Sequence, residues 1–305
     1  LIPGANCVIL ASDTALNIDA GWLSEKIAGL RLDNRFVSPE MLPDRLSPLR
    51  AARLTERVAA RPARVNRDLV PVSYYFHSVL WAGQFRGFES GLLRAAGGVP
   101  SGWLLNVPLA LFGLALAFMA MARRRSAVRF VVPVAVMGLT SIVVEFAVLL
   151  VFQANFGTVY GKIPLLLASF MAGLVAGSFL ARRRRSQGPG GLLASQGLLA
   201  LALFVSSPCR LAAQGEVLAY ALLLGLGALS GYQFVAASAL ILGESAHRGL
   251  AYGVDLLASF IGVVLASGLL IPLFGIPAIV GRLVILNFLC FFYLLFILAF
   301  PRARA

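Results

Sequence analysis

The sequence predicts a mainly α fold, in which a polytopic membrane bundle of about seven transmembrane helices follows the end of an α/β domain. Hydrophobic residues are 59% of the 305 residues and charged residues only 13%, whereas a soluble domain has about 25% charged residues. The charges are also unevenly placed, since the first 100 residues carry 21 charged side chains and the remaining 205 carry 18. The chain is therefore predicted to have a soluble part and a membrane part.

The first part of the chain has the pattern of a strand followed by helices. Residues 6–11 form a short apolar run between turn residues, which predicts a buried strand. Asp19 is a predicted N-cap for a helix that runs to about Gly29, and Ser47-Pro48 is predicted to start a second helix. These elements bury too little apolar surface to offset the entropy of ordering them. We therefore expect this region to be the tail of a larger domain.

The start of the chain does not predict a signal peptide, and the cysteines do not predict a metal site. The chain begins at Leu1 without the basic region or cleavage site of a signal peptide, so we interpret it as part of a longer chain whose beginning is missing. Cys7, Cys209 and Cys290 are odd in number and lie far apart, with no CxxC pair. This spacing favours small buried apolar residues over a metal site or a disulfide framework.

The second part contains seven apolar stretches whose lengths are close to or above the roughly 20 residues that a transmembrane helix needs. Each is predicted to be helical, because lipid offers no partner for an unpaired backbone. The fourth is the shortest and is rich in glycine. We divide the chain into a domain remnant over residues 1–72, an interfacial linker over 73–100 and a transmembrane domain over 101–305. The stretches lie at about residues 103–121, 131–152, 163–181, 190–207, 217–242, 250–274 and 281–300.

The basic residues predict the orientation of these helices. Alternate loops carry 11 basic residues on one side and 3 on the other. The positive-inside rule then places the arginine-rich side and the carboxyl terminus in the cytoplasm, in a multi-pass protein of the inner membrane. We interpret the arginine clusters as topology signals, and we expect a lipid bilayer rather than a nucleic acid as their partner. With seven spans, the soluble part would then lie outside.

Polar residues inside the apolar stretches are the candidate functional residues of the membrane part. A charge at the bilayer centre costs about 2.5–3.5 kcal/mol on insertion scales, so Glu145 and Asp255 should face a partner or a cavity. One interpretation is a polar pocket or proton path between helices, and the other is interhelical hydrogen bonding that only holds the bundle together. Further hydrogen-bonding groups in these stretches are Gln153, Tyr232 and Gln233.

Two pairs of glycines predict close helix packing. Gly173 and Gly177 lie four residues apart in one stretch, and Gly227 and Gly231 lie four apart in another. Small residues at this spacing let helices approach closely in lipid. Neither pair is followed by the Lys-Ser/Thr of a phosphate-binding loop.

Three segments of the first part together resemble the end of a known enzyme domain. The segments "NCVILASD", "NRFVSPEMLPDRLSP" and "RVNRDLVPVSYYFHSVLW" cover roughly residues 3–85. In this order they resemble the C-terminal end of a spermidine synthase-like domain, closest to the membrane-fused bacterial branch. The resemblance implies a Rossmann-like fold and aminopropyl transfer from decarboxylated S-adenosylmethionine, as co-substrate, to putrescine.

The same resemblance implies a role for two tyrosines but no catalytic residue. Tyr74 and Tyr75 match a Tyr-Tyr pair that helps to line the amine-substrate site of the soluble synthases. The glycine-rich loop and the acidic catalytic loop of the family lie upstream of the residues present here. The alternative for Tyr74, Tyr75, Trp81 and Phe85 is an aromatic belt at the membrane surface. His77 has no nucleophile or acidic partner at ligand spacing, which favours a packed or interfacial role.

The membrane part extends the resemblance over about residues 145–275. The segments "EFAVLLVFQANFGTVYGKIPLLLASFMAGLVAGSFLARR" and "GYQFVAASALILGESAHRGLAYGVDLLASFIGVVLASGLLIPLFG" are similar to the transmembrane module of spermidine synthase-like membrane proteins. Glu145 matches an acidic residue before the Phe-Gln of these relatives. Asp255 matches an Asp that follows their Ala-Tyr, which includes Tyr252. At "YQFVAAS" the chain departs from relatives that more often carry a proline after the Phe.

Three hypotheses of function follow from these patterns. The first is a polyamine aminopropyltransferase tethered to a helical membrane module, with its catalytic loop outside this chain. The second is a membrane protein that binds or transports a small cation or polyamine through Glu145 and Asp255. The third is a structural membrane subunit with a degenerate soluble domain. The outside placement of the soluble part separates these hypotheses, because aminopropyl donors are cytoplasmic metabolites. None of them predicts a metal site.

Overall fold

A computed structural model describes residues 13–30, 39–60, 64–84, 91, 95, 97–122, 128–157, 160–183, 188–206, 213–244 and 249–300. These residues form helices, and the only β-pairing among them is an isolated bridge between Arg67 and Val70. The chain divides into two compact units, Leu1–Val65 and Asn66–Ala305. The predicted strand at residues 6–11 lies outside the described residues, as do Cys7, Cys209 and Phe85. The Rossmann-like remnant therefore remains a prediction.

The first unit contains short helices that start where their capping residues predict. Helix α1 begins after Asp19, whose carboxylate accepts a hydrogen bond from the Trp22 backbone N–H at 2.8 Å. Pro48 occupies the first turn of α3, although the Ser47 side chain makes no capping hydrogen bond. No residue of these helices is buried. The unit comprises α1 (Ala20–Gly29), a 3₁₀ turn (Pro39–Met41), α2 (Leu42–Arg45) and α3 (Pro48–Ala59).

The second unit is a helical bundle whose long helices match the predicted apolar stretches to within about five residues. Within the described residues, six helices are long and apolar enough to cross a membrane, and a seventh apolar helix is shorter. Helix α10 continues through a π-helical turn (Ala266–Leu270) into α11. The helices are α4 (Val72–Gln84), α5 (Ser101–Ala122), α6 (Val128–Phe156), α7 (Lys162–Arg183), α8 (Pro189–Ser206), α9 (Glu216–Glu244), α10 (Leu250–Leu265), α11 (Ile271–Phe274) and α12 (Ile276–Ala299).

The shorter helix α8 crosses the bundle. Helices α7 and α9 run parallel, because Gly173 lies against Leu224 while Gly177 lies against Ala228, further along both helices. The end of α7 and the start of α9 are therefore at opposite ends of the bundle, and α8 returns the chain between them. Its 18 residues span about 27 Å at a rise of 1.5 Å per residue. The fourth predicted stretch is thus a traversing helix.

Helix α6 is the centre of the bundle and α5 lies at its edge. Of the most apolar window of each helix, 61% is buried in α6 but only 11% in α5. Val144, Val148 and Phe152 of α6 are completely buried in the larger of two apolar clusters. A polar side chain on α6 is therefore positioned in the interior, whereas most of α5 faces outward.

The segment before the bundle packs against a helix break. At Gly275, which has φ 83°, the chain passes from α11 to α12. The Ile276 N–H donates to the Leu69 carbonyl at 2.8 Å, and α4 packs against α11 and the π turn. The predicted linker region thus contains a 13-residue helix that belongs to the bundle unit.

Candidate functional site

Four helices contribute one polar side chain each to a network inside the bundle. Gln233 Nε2 of α9 donates to Gln196 Oε1 of α8 at 2.6 Å. Gln196 Nε2 donates to Asn287 Oδ1 of α12 at 2.9 Å, and Asn287 Nδ2 donates to Thr140 Oγ1 of α6 at 2.9 Å. All four residues are at most 1% exposed. The network therefore joins α6, α8, α9 and α12 at the centre of the membrane part.

The hydrogen bonds of the network run in one direction, and one acceptor, Gln233 Oε1, has no donor within the described part of the chain. Each amide passes a hydrogen bond to the next, from Gln233 through Gln196 to Asn287. Gln233 Nε2 also reaches the Pro133 carbonyl at 3.3 Å. Gln233 Oε1, however, is buried without a hydrogen-bond partner among the described residues. Because an unsatisfied buried carbonyl is costly, this oxygen is the point where the network can accept a donor from elsewhere.

Glu145 lies on the central helix and is almost completely enclosed. Glu145 is 5% exposed. Within the described residues, its side chain makes no hydrogen bond and no ion pair. One turn before it on α6, Ser141 Oγ hydrogen-bonds Ser230 Oγ of α9 at 2.7 Å. Residues four apart share a helix face, so Glu145 and Ser141 face the same way. The carboxylate therefore lies in the interior of the bundle.

Asp255 occupies a separate position on the neighbouring helix. It is half-buried on α10 and packs against Gly138 of α6, where an added Cβ would lie 2.9 Å from the Asp255 carbonyl oxygen and 3.1 Å from Ser259 Oγ. Gly138 precedes Glu145 by seven residues, which is about 10 Å along a helix. The two intramembrane acids are thus on adjacent helices but do not form a pair.

The other predicted polar residues differ in their exposure. Gln233 is the start of the network and is completely buried, whereas Gln153 and Tyr232 are half-buried. Tyr252 is 60% exposed on α10 and therefore does not line the interior. Only Gln233 and Glu145 of the predicted set are enclosed in the core.

The two adjacent tyrosines of α4 have different surroundings. Tyr74 is 58% exposed, whereas Tyr75 is 7% exposed and its hydroxyl lies at Gly97. The His77 ring packs edge-on against Trp81, with ring centroids 5.9 Å apart. Since Tyr74 and Tyr75 point to different environments, they do not face one site together among the described residues.

Three members of the network were missed by the sequence analysis. Thr140, Gln196 and Asn287 are polar residues in apolar stretches, and each is completely or almost completely buried. The criterion that singled out Glu145, a polar group where lipid would penalise it, applies equally to Gln196 and Asn287. What the sequence does not contain is the information that their helices face each other.

The described residues contain no cluster of three or more His, Cys, Asp or Glu side chains that would hold a metal ion. Cys290 is a free, completely buried cysteine on α12. Comparison of the chain with protein-family models, with curated proteins and with solved structures found no match in any of the three.

Proposed function

We propose that the bundle is the membrane part of a spermidine synthase-like protein, and that it binds a small organic cation at Glu145. The observation that carries this proposal is that Glu145 is only 5% exposed and has no hydrogen-bonding or charged partner among the described residues. A buried carboxylate without a counter-charge is strongly penalised, and a bound cation removes that penalty.

The surroundings of Glu145 supply further acceptors for such a cation. Ser141 and Ser230 contribute hydroxyl oxygens on the facing sides of α6 and α9. Gln233, three residues further along α9, is not part of this set, because its Nε2 reaches the Pro133 carbonyl, twelve residues before Glu145 on α6. An ammonium group carries three donors and no acceptor. A set of one carboxylate and two hydroxyl oxygens therefore matches a primary ammonium.

The class of cation rests on the sequence resemblance. The segments around Glu145 and Asp255 are similar to the transmembrane module of spermidine synthase-like membrane proteins, which implies a polyamine. A diamine has two ammonium groups, and the second acid on the adjacent helix offers a counter-charge for the second group. We therefore propose putrescine as the first ligand to test.

Equilibrium binding of radiolabelled putrescine to the purified full chain in lipid nanodiscs tests this function. We expect Glu145→Gln to weaken binding at least tenfold, because the amide removes the negative charge but keeps the shape. Glu216→Gln is the matched control, since Glu216 is an acid at the start of α9 that pairs with Lys162. Equal binding by the wild type and Glu145→Gln would refute a cation site at Glu145.

Aminopropyl transfer, by a protein in which this chain is joined to the family's glycine-rich and catalytic loops, is the second candidate function. It is supported by the resemblance of residues 3–85 to the end of a spermidine synthase-like domain. Tyr74 is 58% exposed and is therefore accessible to a substrate. The test is incubation of a protein that carries those loops with putrescine and decarboxylated S-adenosylmethionine, with spermidine as the measured product. Absence of product together with retained putrescine binding would leave binding as the function.

We also propose that the protein is a multi-pass inner-membrane protein with its carboxyl terminus in the cytoplasm. The proposal rests on the excess of arginine in alternate loops. In a background without native cysteines, an impermeant thiol reagent should label Tyr160→Cys, which is 86% exposed between α6 and α7, in intact cells. It should label Arg183→Cys only after the membrane is opened. The reverse pattern would overturn the orientation.

A further inference from the structure

A groove lies between α5 and α12, away from the polar interior. Its volume is about 290 Å³, and it is almost entirely apolar. The wall formed by α5 combines three small residues with Leu116 and Met121, and the wall formed by α12 consists of large residues. The lining residues include Gly113, Leu116, Ala117, Ala120, Leu289 and Phe292.

The groove remains because the small side chains of α5 do not fill the space beside the large residues of α12. Gly113 has room for an added Cβ, which would be 3.5 Å from Leu289 Cδ1, an ordinary contact. Phe292 is 58% exposed and Met121 is 77% exposed at the groove. The groove is therefore accessible from the side, where a bilayer would place lipid.

The length and position of the groove match one leaflet. Helices α5 and α12 run parallel, since Asn106 lies at Arg282 and Gly113 at Leu289. From Gly113 to Met121 the groove extends about 12 Å along α5. Half of a hydrocarbon core of about 30 Å is similar to that length. The groove also ends close to the carboxyl ends of both helices, so it belongs to the leaflet on that side.

Arg129 places a positive charge near this end of the groove. The guanidinium of Arg129 lies 4.7 Å from the Phe130 ring, and Phe130 packs in one cluster with Leu116 and Ala120 of the groove. In the sequence, three arginines follow α5 directly at positions 123–125, and two follow α12 at positions 302 and 304. The sequence has no acidic residue at positions 101–144 or after position 255. The charge that complements this end is therefore negative.

We propose that this groove is a binding site for an anionic phospholipid of the leaflet on the arginine-rich side. One acyl chain lies in the groove between α5 and α12, and the phosphate pairs with Arg129. Arginine pairs with phosphate through two parallel hydrogen bonds, and basic sites between transmembrane helices recognise anionic headgroups. The proposal does not depend on the function of the polar interior.

Native mass spectrometry of the purified full chain tests the acyl-chain part of the site. The measured quantity is the dissociation constant for phosphatidylglycerol, compared with phosphatidylcholine of the same acyl chains. We expect Ala117→Trp to fill the groove and to weaken phosphatidylglycerol binding at least fivefold. Ala115→Trp is the matched control, because Ala115 is an exposed alanine of the same helix that does not line the groove. Equal weakening by both variants, or by neither, would overturn the site.

A second pair of variants tests the headgroup. Arg129→Gln should remove most of the preference for phosphatidylglycerol over phosphatidylcholine while acyl-chain binding remains. Arg183→Gln is the control, since Arg183 also lies at the end of a helix and stacks on a phenylalanine. Its guanidinium lies 4.4 Å from the Phe179 ring. If the wild type binds phosphatidylglycerol and phosphatidylcholine equally, the proposed preference for an anionic headgroup is wrong.

Photo-crosslinking of the wild type provides a test that no folding defect can obscure. Phosphatidylglycerol with a photoactivatable acyl chain should label peptides that contain residues 113–121 or 289–296. Labelling confined to other exposed helix surfaces, such as that of α7, would contradict the proposal.

Discussion

Two pairs of parallel helices in the same bundle differ in how they meet. At the α7–α9 contact, four glycines bring the backbones together, and an added Cβ on any of them would overlap the backbone of the partner helix. At the α5–α12 contact, small residues occur on only one side, and a groove of about 290 Å³ remains. The glycines of the closed contact are Gly173, Gly177, Gly227 and Gly231.

This difference shows that small residues have opposite effects depending on what faces them. In lipid no hydrophobic force drives helices together, so their association depends on close packing. When small residues on both helices coincide, as Gly177 and Ala228 do, the helices close completely. When they face Leu289 and Phe292, the same kind of residue creates space. Four comparisons, ordered from the largest expected effect to the smallest, test what holds these and the other helix contacts of the bundle together.

Alanine at two of these glycines should separate the closed contact from the open one. We expect Gly177→Ala to lower the free energy of unfolding by about 3 kcal/mol, because the added methyl group overlaps the Ala228 backbone and the helices must move apart. Gly113→Ala should be neutral or stabilising by up to about 1 kcal/mol, since it has room and raises helix propensity. Thermal unfolding in detergent measures both. If the two variants behave alike, the proposed difference between the contacts does not exist.

The start of α12 should be sensitive to alanine at the helix break. Gly275 has φ 83° and ψ 159°, and an added Cβ would lie 2.7 Å from Val70 Cγ2. This backbone region is almost restricted to glycine, so we expect Gly275→Ala to cost about 2–3 kcal/mol. Gly281→Ala on the same helix, where nothing lies within 4 Å, is the control. A loss of stability in Gly281→Ala as large as that in Gly275→Ala would rule out the break as its cause.

The polar network should hold α12 to the centre of the bundle. Asn287→Leu keeps the size of the side chain but removes the hydrogen bonds to Gln196 and Thr140. Interhelical hydrogen bonds in membranes contribute about 0.6 kcal/mol on average, so we expect a loss of about 1–2 kcal/mol. Asn106→Leu on α5 should have little effect, because its contact with Arg282 is long, at 3.5 Å, and exposed. An unchanged melting temperature in Asn287→Leu would mean that α12 is held by apolar packing alone.

The ion pair at the start of the closed contact should contribute least. Lys162 at the start of α7 pairs with Glu216 at the start of α9, and both side chains are more than one third exposed. We expect Lys162→Gln to cost less than about 1 kcal/mol, and less still in high salt. A cost comparable to that of Gly177→Ala would show that the ion pair, rather than the glycines, holds α7 to α9.

The sequence predicted the long helices well but not the contacts between them. A run of about 20 apolar residues has one stable form in lipid, which is why the stretch predicted at 163–181 is observed as Lys162–Arg183. The glycine pairs of α7 and α9 were predicted to pack closely, and this is confirmed. That they pack on each other was not predicted, because a uniformly apolar helix gives no sign of which neighbour each face meets.

Two features escaped prediction for related reasons. Helix α4 has 13 residues and no long apolar run, so neither length nor periodicity identified it, and it is its packing against α11 that places it in the bundle. The network of Gln196, Asn287 and Thr140 depends on three helices that are far apart in sequence. Of the polar residues that the sequence singled out within the apolar stretches, Glu145 and Gln233 are enclosed.

The partner of α7 in the closed contact is the second helix after it in the chain. During synthesis α7 must therefore enter the membrane, and α8 must follow it, before Leu224 and Ala228 of α9 emerge to cover Gly173 and Gly177. Over that interval the translocation machinery or lipid must occupy the glycine surface of α7. In a chain that ends at Ser206, the glycine surface of α7 would stay uncovered, because α9 would be absent. Quality-control proteases would then encounter α7 without its packing partner.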